Sequence, residues 1–320
     1  MCSRTAVTAA YLRPLLRVGL AAIALFCGRA LPAQDWYPSE WGADDERGAA
    51  NRITPAKVLE MKELITAGRI YELGRVYEPG IPIFGTRHFS LRIPQAFGPS
   101  ASNEFLYLDE IVSGELGQIG TQFDGLGHVG IGEVFYNGHR AADFVRAEGL
   151  MRLGVENVGP IVTRGVLIDV ARYKGVAQLE RAYEIRIADL DGALRAQRTD
   201  IRPGDVVLLH TGWGALWKVD NERYLASSPG LGVPAAEWLA EREIVMVGAD
   251  NWGIEVSPNP DSSLAAPVHQ IMLTRNGIYQ FENLATEELA RDRVYEFAFF
   301  FAPVPLAGAT GSPGNPVAIR

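Results

Sequence analysis

Thiols are almost missing from this sequence: its two cysteines, Cys2 and Cys27, both fall within the first 33 residues. Everything downstream therefore lacks a disulfide framework, a thiolate zinc site and a cysteine nucleophile. Runs of basic residues are missing too, which excludes nucleic acid as a partner. No G-x-x-x-x-G-K-[ST] loop is present and no dinucleotide fingerprint is read after a strand, so nucleotide cofactors have no support. Nor is there a G-x-S-x-G elbow to carry a covalent serine. No internal repeat, low-complexity block or Pro/Gly/Ser linker divides the chain, and one domain is expected.

The N-terminus has a character of its own. Residues 1–33 hold Arg4, Arg13, Arg17 and Arg29 and no acid, with an apolar stretch from Val18 to Cys27 and small residues at Gly28, Ala30 and Ala33. A charged start, a short apolar core and small residues ahead of a polar chain are the layout of a secretory signal peptide. The stretch is shorter than the ~20 residues of a membrane span. Leu25-Phe26 before Cys27 is a poor lipobox, and a buried N-terminal helix is the plainer alternative to export. The expectation is a signal peptide over 1–33, a mature domain over 34–320, a periplasmic or extracellular location and no membrane attachment after cleavage. The whole chain has a net charge of −8; without the four leader arginines, 26 basic residues face 38 acids, a net charge of −12. Such a surface favours solubility and says little about fold.

Thr54-Pro55 opens a helix, a hydroxyl cap followed by proline at the first helical position. Val58, Met61, Leu64 and Ile65 keep its apolar face and Gly68 suits its end. Phe105–Val112, Ile161–Val170, Asp205–His210, Ile244–Gly248 and Tyr295–Phe301 read as short apolar strands. Ile187–Arg198, Pro234–Arg242 and Thr286–Arg291 read as helices between them. Strands mixed with helices, without a strict βαβ period, predict an α/β or α+β domain on a mixed sheet.

Five histidines lie beyond residue 33, at His88, His128, His139, His210 and His269. Two sit in chemical surroundings. In the segment from Gln118 to His128, extended backbone would project Gln118, Gln122 and Asp124 to one face and Phe123 to the other. Gly125 and Gly127 would let the chain bend so that His128 returns to the same pocket. A carboxylate, two amide oxygens and an imidazole make an oxygen-rich site for a divalent cation. In the segment from His269 to Leu284, a helix carrying His269, a turn at Gly277 and a strand ending at Glu282 bring an imidazole towards a carboxylate. Glu282, between Phe281 and Leu284, is costly to bury without a cation or an arginine beside it. Each residue alone has a bland reading as a turn aspartate or a satisfied core histidine; the two segments together carry the inference. Thr121 reads as structural.

Taken together, these segments resemble the cyclase family, which includes kynurenine formamidases and isatin hydrolases. The family signature H-x-G-T-H-x-D-x-P-x-H is met here by Q-I-G-T-Q-F-D-G-L-G-H over residues 118–128. His269, Gly277-Ile278 and Glu282-Asn283-Leu284 match a later family segment. Arg164–Val170 resembles a core strand, Arg202-Pro203-Gly204-Asp205 its turn, and Gly308–Pro313 the closing stretch. The resemblance implies an α/β single domain, a mixed β-sheet flanked by helices of the swivelling β/β/α type. It implies metal ligands at Gln118, Gln122, Asp124, His269 and Glu282, with Asp124 able to bridge two ions, and a catalytic acid/base at His128. The implied cofactor is a divalent metal ion, manganese or zinc, with magnesium or calcium as alternatives. Glutamines where the family has two histidines, and Leu126 where it has proline, shift the preference towards harder ions.

The implied activity is metal-dependent hydrolysis of an amide, formamide or lactone-type carbon–nitrogen or ester bond in a small substrate, through metal-activated water. A metal-dependent cyclase or dehydratase, and an inactive exported binding protein, stay open as alternatives. Trp213, Trp217, Trp252, Phe123 and Tyr136 fit either an aromatic or cyclic substrate or ordinary core packing, and Asp250-Asn251-Trp252 could add polar contacts. The resemblance also implies a homo-oligomer, a dimer or tetramer.

Overall fold

In a computed structural model, which describes residues 36–94 and 96–320, nine strands form one sheet. The expected signal peptide lies outside the described residues. In chain order the strands are β1 (Ile70–Glu72), β2 (Gln122–Asp124), β3 (Ile161–Asp169), β4 (Val206–His210), β5 (Met246–Ala249), β6 (Tyr279–Glu282), β7 (Glu296–Phe301), β8 (Gly311–Pro313) and β9 (Val317–Ile319). Across the sheet they run β1-β9-β7-β3-β4-β5-β6-β2-β8. The four central strands β3, β4, β5 and β6 are mutually parallel, and every pairing outside them is antiparallel. This is the mixed sheet with flanking helices that the sequence predicts.

The reason is visible in the strands themselves. Ile161–Asp169 and Val206–His210 are nearly unbroken apolar runs, as parallel strands covered on both faces require. Val166, Ile168, Val207, Leu209 and Val247 point to one side, where they pack with Leu190 and Leu194 of the helix Ile187–Gln197 and Leu239 of the helix Val233–Ala240. Leu167, Leu208 and Met246 point to the other, into a cluster rich in phenylalanine that includes Phe123, Phe281, Phe297 and Phe301. None of the described helices is long and apolar enough to cross a membrane.

The helix Pro55–Lys62 starts as expected, with Thr54 accepting the Lys57 backbone N–H at 3.2 Å. It ends at Lys62, short of Gly68, whose φ of +65° serves the turn into β1 instead. Its Lys57 reaches the buried Asp205 at 2.7 Å, and Arg164 of β3 meets the same carboxylate at 2.5 Å. The turn residues Arg202 to Asp205 thus tie helix, turn and sheet together.

Phe105–Val112 departs from expectation. It is two strands, Phe105–Leu108 and Ile111–Gly114, paired with Ala96–Ser100 and Phe89–Arg92 outside the nine-stranded sheet. Phe105 and Ile111 are 53% and 59% exposed, because this arm has no helix layer over it.

A candidate metal centre

β2 is where the sheet meets the chemistry. Its register against β6 sets Gln122 opposite Glu282 and Asp124 opposite Gln280. Alternation then sends Gln122, Asp124 and Glu282 to one face and Phe123 to the other. Phe123 stacks on Tyr279, with ring centroids 4.9 Å apart, inside the phenylalanine cluster. Gln118 lies ahead of the strand, in a turn through Gly120 at φ +61°. Its amide nonetheless comes back to donate to Asp124 Oδ1 at 3.3 Å.

The turn is clamped by Asn283, which follows Glu282 at φ +58°. Asn283 donates to the Gly120 carbonyl at 2.6 Å, its own carbonyl accepts the Thr121 hydroxyl at 2.9 Å, and its Oδ1 accepts from Tyr224 at 2.7 Å. Thr121 Oγ1 also accepts the Arg75 backbone N–H at 2.8 Å. The threonine is a structural part of the turn, as read from sequence.

Past the strand, Gly125 and Gly127 do not take positive φ; the glycines answer crowding rather than a need for conformational freedom. A Cβ on Gly127 would lie 2.3 Å from Leu150 Cδ1, and one on Gly125 would lie 2.9 Å from the Thr310 carbonyl oxygen. Contrary to the sequence expectation, Gly125, Gly127 and Gly130 do spell G-x-G-x-x-G directly after a strand. No helix opens behind them, so no helix N-terminus is offered to a phosphate.

His269 arrives from the opposite side as the last residue of the helical turn Pro267–His269, which continues as the π-helix Gln270–Arg275. That helix is stitched to the loop after His128: Thr274 donates to the Val129 carbonyl at 2.8 Å and Gln270 to the Gly130 carbonyl at 3.1 Å. Gly277, at φ +61°, turns the chain into β6 as expected.

The result is a tight group. One ligand atom each from Asp124, His269 and Glu282 lies within 4.8 Å of the others, and all three residues are buried. His269 Nε2 is 3.3 Å from Glu282 and 4.0 Å from Asp124 Oδ2. Gln122 donates to the other Glu282 oxygen at 2.8 Å. His128 stands at the rim, its Nε2 3.9 Å from Asp124 Oδ1. Burial is the largest influence on the His128 imidazole and lowers its pKa, outweighing the nearby Asp124 carboxylate, so it is neutral near pH 7.

His269 and Glu282 are in contact and pull on one another. Burial opposes a charge on His269, but hydrogen bonds to Glu255 and Glu282 outweigh it and raise its pKa to about 10. Burial, then the Asp124 charge, raises Glu282 to about 7 against the pull of His269. Glu255 is the residue sequence reasoning missed. It is buried, its Oε1 is 2.5 Å from His269 Nδ1, and its carboxylate also accepts the backbone N–H groups of Val268 and His269, both at 3.3 Å. The available signal was an acid set between Ile254 and Val256, costly to bury without a partner.

A divalent cation fits this set. Asp124 Oδ2 and Gln118 Oε1 are buried without a hydrogen-bond partner. The carboxylates of Asp124, Glu282 and Glu255 gather around one imidazole, an excess of negative charge that a cation would neutralise. A carboxylate holding Nδ1 while Nε2 faces the cluster is the usual outer support of a metal-binding histidine. Both glutamines present their amide nitrogens to the carboxylates, and an exchange of amide oxygen and nitrogen, which preserves side-chain shape, would turn an oxygen towards the cluster.

Above the cluster opens a cavity of about 240 Å3, walled by His128, Arg87, Leu225, Phe84 and Trp252. Trp252 stacks on Phe84 at 4.9 Å, near parallel. The other aromatics singled out from sequence are core: Trp213, Phe123 and Tyr136 are buried, and Trp217 packs edge-on against Tyr224. Asp250 holds the Thr211–Gly212 turn and Asn251 the turn before Ile254, so both are structural. His88 is exposed and His139 sits beside Phe144. His210 bonds Thr286 at 2.8 Å in a larger, more open hollow of about 440 Å3 that holds no such ligand cluster among the described residues.

Both the sequence and the fold have known relatives. The Cyclase family model matches residues 71–256. A crystal structure of a novel cyclase is 34% identical over 88% of this chain and 98% of its own, with a TM-score of 0.79. Isatin hydrolase A from Ralstonia solanacearum is 22% identical over 84% of this chain and 99% of its own, with a TM-score of 0.60. Isatin hydrolase A from Labrenzia aggregata, solved with benzyl benzoate, is 21% identical over 78% and 93%, with a TM-score of 0.59. No curated protein matches the sequence significantly.

Proposed function

The chain belongs to the cyclase family, and from that premise we propose that it is a metal-dependent hydrolase opening an amide, formamide or lactone bond in a small cyclic or aromatic substrate. The observation that carries this is the convergence of Asp124, His269 and Glu282, the last two on the floor of a cavity whose wall holds a neutral histidine. The two isatin hydrolases share the fold, and their named activity is the model for this reading.

Asp124, His269 and Glu282 would hold the cation, with Gln118 and Gln122 alongside as further oxygen donors. When bound, it supplies Lewis acidity towards a carbonyl and lowers the pKa of water. Manganese or zinc is the expected ion, magnesium or calcium the alternative. Glu255 keeps the proton of His269 on Nδ1, which leaves Nε2 to face the cluster. His128, neutral and at the rim, takes a proton at Nε2 and returns it to the leaving nitrogen or oxygen. Phe84 and Trp252 exclude water from one side of the cavity and offer a flat face to a ring. Export through residues 1–33 and assembly as a homo-oligomer complete the proposal.

Elemental analysis of the purified mature protein tests it, beside Asp124→Ala and Glu282→Ala. About one or two divalent ions per chain, lost in both variants, is the expected result. Turnover of formanilide or a simple lactone with uptake of water would separate hydrolysis from cyclisation, which takes up none. If no ion is retained after incubation with manganese, zinc, magnesium and calcium, the hydrolase reading fails.

A further inference from the structure

Arg87 is the one lysine or arginine among the residues lining the cavity above the ligand cluster. It is half-buried, and among the described residues it has no ion-pair partner and no side-chain hydrogen bond. The Arg87 charge is also felt by Glu115, whose carboxylate is engaged by the backbone N–H of His88 at 2.7 Å and pairs with the His88 ring at 3.3 Å. On the inner side its field reaches Glu282 and His128 without contact. Other arginines of intermediate burial are tied down: Arg75 to Glu287 and the Leu284 carbonyl, Arg52 to Glu40 and Glu243. A guanidinium with five donors, held partly out of water and left unpaired, is positioned for an anion from outside the chain.

The Phe84–Trp252 stack lines the same cavity, and Trp252 is fixed there by its indole N–H on the Ser227 carbonyl at 3.1 Å. Three recognition elements therefore line one small cavity: a cationic fork, a flat aromatic face and the ligand cluster on the floor.

We propose that the substrate is a flat ring compound bearing a carboxylate, with Arg87 recognising the carboxylate and Phe84–Trp252 the ring, while the bond to be opened sits over Asp124, His269 and Glu282. This rests on the hydrolase reading and narrows its substrate class. The geometry also gives a reason for the arginine in a strongly acidic protein: without it, the carboxylates of the floor would repel an anionic substrate.

The test is calorimetric binding of benzoate and benzamide to the manganese-loaded full chain, for wild type, Arg87→Gln and Arg87→Lys. A charge-assisted pair of this kind implies benzoate binding about tenfold or more tighter than benzamide. Arg87→Gln should bring the two ligands to within about threefold, and Arg87→Lys should keep part of the difference as a point charge without the fork. Manganese content and melting temperature report that each variant is folded and loaded. Equal affinities in wild type overturn the proposal. So does a benzoate preference that survives Arg87→Gln, since the cation would then hold the carboxylate.

Hydrolysis of formanilide and of N-formylanthranilate, run in parallel, separates the two readings. Turnover without any Arg87-dependent preference removes the anion proposal alone. An Arg87-dependent preference without turnover of either compound removes the hydrolase reading and leaves an anion-binding pocket.

Discussion

Asp124→Asn should leave the metal-free protein as stable as wild type, or more so, while abolishing its response to metal. Asp124 is fully buried, takes one hydrogen bond from Gln118 at 3.3 Å and leaves Oδ2 without a partner. Asparagine keeps the Gln118 bond and removes a fully buried charge whose neighbouring cation, the His269 imidazole 4.0 Å from Oδ2, is already engaged by Glu255 and Glu282. Part of the benefit reaches Glu282, whose pKa is raised by burial first and by Asp124 second, from 4.5 to about 7. The sign follows from proton binding: between pH 4.5 and 7 the folded state holds the proton that the unfolded state has lost, so stability falls as pH rises through that window. The whole displacement corresponds to about 3 kcal/mol at pH 8, and removing the Asp124 charge relieves part of it. Metal reverses the ranking. Manganese at a thousand times its dissociation constant stabilises a specific site by about 4 kcal/mol, or roughly 8–16 °C in melting temperature for a domain of this size. Differential scanning fluorimetry at pH 8, with and without manganese, reads both effects. A variant that melts several degrees lower without metal, or that still gains stability from manganese, would refute the argument that Asp124 is a ligand held at the expense of stability.

Replacing His128 with alanine should leave metal content unchanged and lower kcat by about 10²–10⁴-fold, measured on whichever panel compound is turned over. In wild type, binding a cation at His269 must displace the proton that Glu255 and Glu282 hold there up to about pH 10, so calorimetry in two buffers at pH 8 should show about one proton released per ion. Glu255→Gln removes one of the two supports, lowers the pKa of His269 and shrinks that release. Asp205→Asn removes the one buried carboxylate shared by Arg164 and Lys57, leaving them their more exposed partners Asp200, Glu296 and Glu60, and should cost about 3 kcal/mol in urea unfolding; a loss below about 1 kcal/mol would mean water reaches the network.

Much of this was legible in the chain. The central strands announce themselves because burial on both faces demands unbroken apolar runs, and the helix behind Thr54-Pro55 because its cap is local. The site was readable as two segments because each follows a local rule: alternation over Gln122–Asp124, and helix, glycine turn and strand over His269–Glu282. Glu255 was not, since nothing within a few residues of it tells that its loop folds back onto Nδ1 of a histidine 14 residues later. The outer strands β1, β8 and β9 are three residues each, too short for periodicity to register. The apolar run at 105–112 misled because hydrophobicity marks a strand without saying which sheet it joins. Gly125 and Gly127 were found for the wrong reason, as the neighbours that crowd them come from Leu150 and Thr310, far along the chain.

The alternation along β2 has a consequence beyond this site. Phe123 answers to the interior and its two neighbours to the ligand cluster, so the same three residues serve folding and chemistry through opposite faces. A change of donor at Gln122, or at Gln118 ahead of the strand, does not disturb the phenylalanine packing beneath. The scaffold can therefore exchange imidazole for carboxamide, and with it one metal preference for another, as a matter of local chemistry rather than of architecture. A fold divided in this way can explore new reactions without first having to survive a damaged interior.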